Sequence, residues 1–258
     1  MRHFQHSIGY ITDPGNKRAG NEDSLIVKLG SLDESMFALL AVADGMGGLE
    51  KGHLASGCAV SALEQWWNGT LPGFLQPDPD WEGAVGSLSV LPEAIHWQIK
   101  ALGGGPSGST LSMAFLQNEH ATIFHVGDSR VYLIRDGCCR QITQDQTWCQ
   151  EAVDAGTLTA EAARVHPMRH VLTSTLGAGE RFRLERQDIA LQEHDMLLLC
   201  SDGFYGELDI EGACRSWRKK DPVQNILETA MAAIKAGEAG DNLTALLLRL
   251  GKKGRNWA

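Results

Sequence analysis

At 258 residues the chain is long enough for one large domain or two small ones, and with 43% hydrophobic and 21% charged residues it has the composition of a soluble globular protein with a substantial core. A formal net charge of −9 argues against a general nucleic-acid binder, which carries a basic excess. The longest uninterrupted apolar run, Met36–Ala43, is too short to span a bilayer, and the N-terminal "MRHFQHSIGYITDPGNKR" lacks the apolar core of a signal peptide.

In chain order, residues 7–43 alternate turn signals with apolar runs, "DSLIVKL" and "MFALLAVA", and read as strands. A helix is predicted from about Leu54 to Trp67, with Gly57 weakening its first turn. Between Asn68 and Gly108 stand Pro72, Pro77, Pro79, Pro92 and Pro106 among many glycines, and the stretch reads as an irregular loop followed by a short helix from Pro92 to about Leu102. Trp66, Trp67 and Trp81 beside it are expected to cover the core rather than to form a protein-binding patch. Strands are predicted at Ser109–Leu116, Ala121–Val126, Val131–Arg135 and Arg140–Ile142. Residues 147–179 have little strand character and one helix near Thr159–Val165, with Thr159 as its cap. After a strand at Met196–Cys200 comes an amphipathic helix in "DPVQNILETAMAAIKAG". Asp221 is placed to cap it and Pro222 in its first turn, and Val223, Ile226, Leu227, Ala230, Met231 and Ile234 form its apolar stripe. The final strand, Leu243–Leu250, precedes a basic tail, residues 251–258, expected to fray. Strands in series with helices in pairs indicate an α+β protein with antiparallel sheets.

Two signals point away from chemistry. "GGGPSGST" matches a nucleotide-binding glycine pattern, but a helix is predicted before it and a strand after it, and the phosphate-binding Lys is missing. "RSWRKKD" reads as a solvated surface. Cys58, Cys138, Cys139, Cys149, Cys200 and Cys214 contain no CxxC spacing, which points to reduced thiols in a cytoplasmic compartment; Cys200, inside an apolar run, reads as a small core residue.

The informative pattern is where apolar runs stop. "FALLAVADGMGG" reaches Asp44, "ATIFHVGDS" reaches Asp128 and "MLLLCSDG" reaches Asp202, while "GDNLTALLLRL" places Asp241 just before its run. A single Asp-Gly is a turn signal. In an antiparallel sheet, however, three strands ending in Asp and one starting with Asp can bring all four carboxylates to one edge. Carboxylates that close raise one another's pKa unless a cation lies between them. An all-oxygen, carboxylate-rich set selects a hard ion such as Mg²⁺ or Mn²⁺.

In order, "RAGNED", "VADGMGG", "GST", "HVGDSRVYLIRDG", "QITQDQTW", "HPMRHVLTSTLGA", "LLLCSDGFYGEL" and "GDNLTALLL" resemble the successive motifs of the type 2C, metal-dependent Ser/Thr protein phosphatases (the PPM family), in particular its small bacterial branch. The resemblance runs from about Ile8 to Leu250. It implies one domain over residues 1–250, a four-layer α-β-β-α sandwich with two central antiparallel sheets, and a binuclear Mn²⁺/Mg²⁺ centre. The implied reaction is hydrolysis of phosphoserine and phosphothreonine in proteins by a metal-activated water. Carried over by residue, Asp44 bridges both metals and the Gly45 carbonyl binds one. Asp202 and Asp241 complete the first metal's shell, and Asp128 with Asp202 supports a weaker third. Glu22 and Asp23 hold metal-bound waters and Arg18 grips the phosphate, a task that suits a guanidinium fork.

Some positions depart from the family's pattern. Met46 stands where many eukaryotic members have a His, so no side chain is assigned as general acid. Gln146 replaces the His of a usual Asp-His-Ser, leaving the role of Asp145 open, and the Pro-rich segment 68–108 matches no family pattern. Residues 147–179 correspond to a variable flap beside the active site. The expectation is a monomeric cytoplasmic phosphoprotein phosphatase opposing a partner Ser/Thr kinase, with no nucleic-acid or membrane partner. The alternatives are a non-catalytic phosphoprotein-binding regulator of the same fold and a phosphatase of small phosphorylated metabolites.

Overall fold

The computed structural model describes residues 2–33, 35–47, 50–102 and 107–255. Its strands are β1 (Arg2–Asp13), β2 (Asp23–Leu32), β3 (Ser35–Met46), β4 (Gly108–Ser109), β5 (Leu111–Gln117), β6 (His120–Val126), β7 (Arg130–Arg135), β8 (Cys138–Gln141), β9 (Glu185–Ala190), β10 (Met196–Cys200) and β11 (Leu243–Arg255). Its helices are α1 (Glu50–Gln65), α2 (Leu71–Phe74), α3 (Trp81–Ser89), α4 (Leu91–Ala101), α5 (Trp148–Asp154), α6 (Ala160–Val165), α7 (Asp202–Glu207), α8 (Ile210–Cys214) and α9 (Val223–Lys235).

The strands form two antiparallel sheets, one in the order β1-β11-β10-β7-β8 and one in the order β2-β3-β5-β6-β9, with β4 paired to β3. Three apolar layers explain the stacking. Ala38, Leu40 and Val42 of β3 meet Leu197 and Leu199 of β10 and Leu246 and Leu248 of β11 between the sheets. The alternate residues Leu39, Ala41 and Ala43 pack under α1, α3 and α4. On the outer face of the other sheet, Leu198, Cys200 and Leu247 pack under α7, α8 and α9. The result is the expected four-layer α-β-β-α sandwich. Central strands read as unbroken apolar runs because both of their faces are buried, and each full-sized aliphatic side chain so buried contributes roughly 1.5–3 kcal/mol.

Several local expectations are corrected. Segment 68–108 is largely helical: a π-helical turn (Trp66–Thr70) leads into α2, and α3 and α4 follow. Pro72 was misleading because it occupies a first turn, where no intrahelical N–H is lost, whereas the helix predicted from Pro92 is present as α4. Asp80 caps α3 by accepting the Gly83 N–H at 2.8 Å. Trp66 and Trp81 pack against Phe115 in the core. Residues 103–106, which carry most of the glycine-rich pattern, lie outside the described residues. Helix α9 is capped at Pro222 rather than Asp221, whose side chain instead accepts the Arg218 N–H. The basic tail expected to fray continues β11 to Arg255, paired with Arg2 of β1. Strand β9, helix α5 and the short α7 and α8 had no expectation.

Candidate active site

Strands β2 and β3 pair so that Asp23 sits directly opposite Asp44. Both lie at the end of a strand pair whose next rungs, from Ser24 and Ala43, lead into the core. Gly45 follows where a side chain has no room: a Cβ there would stand 2.0 Å from Gly52 O and 2.7 Å from Glu22 O. The Asp44 N–H donates to Thr110 Oγ1 at 2.9 Å, and the Thr110 hydroxyl shares a 2.7 Å hydrogen bond with Ser129. Thr110 thus ties Asp44 to the turn at the end of β6, where Gly127 adopts φ +102° and delivers Asp128. Asp202 opens α7, and Asp241 stands two residues before β11. Arg18 donates from Nη2 to Asp241 Oδ2 at 2.8 Å.

These groups line one cleft of about 280 Å³ together with Glu22, Gly45, Met46, Thr110, His170, Leu172 and Asn242. Asp23 lies buried behind it, accepting the Ser201 hydroxyl at 2.8 Å on one carboxyl oxygen. The structure therefore gathers Arg18, Glu22, Asp44, Gly45, Asp128, Asp202 and Asp241 in one cleft with Asp23 as a floor, but from two sheets: Asp44 and Asp128 at the ends of β3 and β6, Asp202 and Asp241 beside β10 and β11. Two points of the sequence reading are corrected: the carboxylates meet where two stacked sheets end together rather than at the edge of one sheet, and Asp202 starts a helix rather than closing a strand.

The electrostatics are those of crowded anions. Burial and the neighbouring Asp23, Asp202, Asp128 and Asp241 hold the Asp44 carboxyl well above the usual carboxylate range. Burial, Asp202 and Asp145 do the same to Asp128, with Arg130 opposing them. Burial pushes Asp23 up to about 7 despite the opposing pull of the Thr244 and Ser201 hydroxyls. Burial also raises Glu22, against the pull of Arg18. At Asp202 burial is outweighed, chiefly by His170, whose Nδ1 lies 3.4 Å from Asp202 Oδ2.

Among the described residues, no three Asp, Glu, His or Cys side chains are so disposed that they would hold a metal ion as they stand. Arg18 and His170 engage Asp241 and Asp202 instead. The residues nonetheless fit a hard divalent cation. Their donors are carboxylate oxygens, their mutual repulsion is only partly offset by Arg18 and by the His170 ring beside Asp202, and Asp23 Oδ1 is buried with no hydrogen-bond partner.

Sequence reasoning missed the residues that brace this edge. Asn242 Oδ1 accepts the Glu22 N–H at 2.9 Å, while its Nδ2 donates to Pro14 O and Gly20 O, pinning the loop that carries Arg18. Asp145, whose role was open, forms a two-point ion pair with Arg130, at 2.8 Å to Nε and 2.6 Å to Nη2, while the guanidinium lies 3.7 Å from the Tyr205 ring centroid. His170 enters from segment 147–179, within which an isolated bridge joins Thr147 to Leu172. Only the Asn directly after Asp241 carried a local signal; the other partners lie far apart in sequence.

The sequence profile of a family described as Protein phosphatase 2C matches residues 19–247. The chain is 30% identical over 256 residues to the serine/threonine phosphatase stp of Listeria monocytogenes, covering 96% of this chain and 98% of that one. It superposes with a TM-score of 0.84 on the serine/threonine phosphatase of S. agalactiae, at 25% identity, covering 95% of this chain and 99% of the other. A crystal structure of the catalytic domain of the serine threonine protein phosphatase PstP in complex with two manganese ions matches with a TM-score of 0.77 at 27% identity, covering 96% and 99%.

Proposed function

The chain belongs to the protein phosphatase 2C family, and on that premise we propose that it is a metal-dependent phosphatase that removes phosphate from serine and threonine side chains of proteins. The observation that carries the reading is the convergence of Asp44, Asp128, Asp202 and Asp241 with Arg18 on one cleft. Asp44, the Gly45 carbonyl, Asp202 and Asp241 are the residues that would hold two Mn²⁺ or Mg²⁺ ions, and Asp128 with Asp202 a weaker third. When bound, such ions neutralise phosphoryl oxygens and acidify water from ~15.7 towards ~7.

The chain's own groups do the rest. Arg18 lies at the mouth of the cleft, with its side chain about half exposed, and turns from Asp241 to the phosphate, which its planar fork grips at two oxygens. Glu22 and Asp23 accept hydrogen bonds from water and orient it toward phosphorus. Met46 has no proton to give, and no side chain is assigned as general acid.

Residues 1–250 form the phosphatase unit, with 147–179 as its flap. It works as a monomer in the cytoplasm, opposite a Ser/Thr kinase. Free thiols at all six cysteines fit a reducing compartment; among the described residues no helix is long and apolar enough to cross a membrane. The test is turnover of a phosphothreonine peptide by the purified chain with Mn²⁺ and its loss on chelation. Activity that survives complete metal removal refutes the reading. A protein that binds phosphopeptide without metal-stimulated turnover is the non-catalytic regulator, and a higher kcat/KM on small phosphorylated metabolites makes it a metabolite phosphatase.

A further inference from the structure

Gln146, the residue that departs from the family's Asp-His-Ser pattern, is fully buried, at 0% exposure. Its backbone N–H donates to Gly127 O at 2.8 Å, and its side-chain Oε1 accepts the Gly127 N–H at 2.9 Å. Its Nε2 donates to Arg183 O at 3.1 Å, and its backbone carbonyl accepts from Thr173 N at 2.8 Å. One side chain thus holds both the glycine that delivers Asp128 and the chain beyond the flap, while its backbone closes the flap's neck. The turn at Gly127 packs directly on Thr110, where an added Cβ would meet Thr110 Cγ2 at 2.6 Å. A shift of the flap neck therefore reaches the Asp128 turn through a fixed set of bonds.

We propose that Gln146 is a positioning residue for Asp128: it couples the flap neck to the Gly127 turn and so sets how firmly Asp128 holds a divalent ion. The proposal rests on reading Asp128 as a metal ligand. Every hydrogen-bonding group that the Gln146 side chain uses has a partner, so replacing it leaves the Gly127 N–H unpaired in a buried place and takes the donor from the part-buried Arg183 carbonyl. Neutral imidazole offers one acceptor and one donor, as the amide does, and is the conservative replacement.

The test is calorimetric titration of Mn²⁺ into the metal-stripped full chain, with thermal midpoints recorded in parallel, for the native protein, Gln146→Met, Gln146→His, Asp128→Ala and the Gln146→Met/Asp128→Ala pair. The binding step that Asp128→Ala removes should weaken about 10- to 100-fold in Gln146→Met, the range found when an outer partner of a metal ligand is lost. The remaining steps should be unaltered, the double variant should bind as Asp128→Ala does, and Gln146→His should restore most of the loss. Should Gln146→Met fail to fold, Gln146→Asn, too short to span Gly127 and Arg183 together, carries the same expectation. Native Mn²⁺ binding in these variants, or an equal loss with and without Asp128, overturns the proposal and leaves Gln146 a packing residue. If Asp128→Ala itself binds Mn²⁺ as the native chain does, the proposal falls with that ligand assignment, while the phosphatase reading, which turns on Asp44 and chelation, stands.

Discussion

Asp23 and Asp44 face one another across a single rung of β2 and β3, two carboxyl groups where a sheet ordinarily pairs apolar or opposite charges. Their juxtaposition is costly in a metal-free protein, and the cost separates function from stability. Asp44→Asn should lower kcat on a phosphothreonine peptide by at least ~10²-fold, the order seen when one key electrostatic group is removed. In chelator the same variant should melt no lower than the native chain, because one repelling charge is gone. A near-normal rate would count against Asp44 as the bridging ligand.

Arg18 and Asp241 form a largely exposed pair, with side chains 51% and 39% accessible. Such pairs contribute only ~0–1 kcal/mol. Arg18→Lys should therefore leave the thermal midpoint nearly unchanged while losing the fork. A kcat/KM for phosphopeptide reduced about 10- to 100-fold, matching ~1.5–3 kcal/mol for a charge-assisted hydrogen bond, is expected. Full activity in the lysine variant would show that Arg18 does not grip phosphate at two points.

His96 of α4 is buried and accepts the Gly177 N–H on Nδ1 at 3.1 Å, which requires the neutral ring. Burial and then Lys100 lower its pKa, against weaker opposing pulls from Glu180 and Glu93. The unfolded chain, with an ordinary histidine pKa near ~6.5, then binds more protons than the folded one just below that pH. This contribution to stability is complete above about pH 6.5 and fades as the pH falls toward the folded value. Thermal midpoints measured from pH 7.5 to 5 should show the decline, and His96→Asn, which keeps an acceptor but does not titrate, should flatten part of it. Parallel curves for the two proteins would remove His96 from the account.

Asp80 tests whether segment 68–108 is helical in solution. Its carboxylate caps α3, and Asp80→Ala should cost ~1 kcal/mol, a fall of about 2–4 °C in the melting point for a chain of this size. Turnover should not change, since Asp80 is exposed at the start of α3 in the outer helical layer and does not line the cleft. An unaltered melting point would return the segment to the irregular loop its prolines suggest.

The acidic edge was legible because charge at the end of an apolar run violates local expectation, and Asp44, Asp128, Asp202 and Asp241 each do so. What braces that edge was not legible. Gln146 meets Gly127 across 19 positions and Arg183 across 37, and Asn242 meets Glu22 across 220, distances over which periodicity carries no information. Strand β9, "ERQDIA", was missed because an edge strand with one exposed face need not be apolar. The helix from Pro92 was foreseen as α4, but α2 and α3 were missed because proline breaks a helix interior yet favours its first turn, and the prolines at 72, 77 and 79 read as loop.

The cleft also joins the two ends of the chain. Thr12 on β1 meets Thr244 on β11 across 232 positions, and Arg18 meets Asp241 across 223. Closing so long a loop is a slow, late event in folding. During synthesis the ribosome must release residues through β11 before Asp241 can reach Arg18, so a chain cut or stalled short of β11 has no assembled centre, and competence for hydrolysis arrives only with that strand.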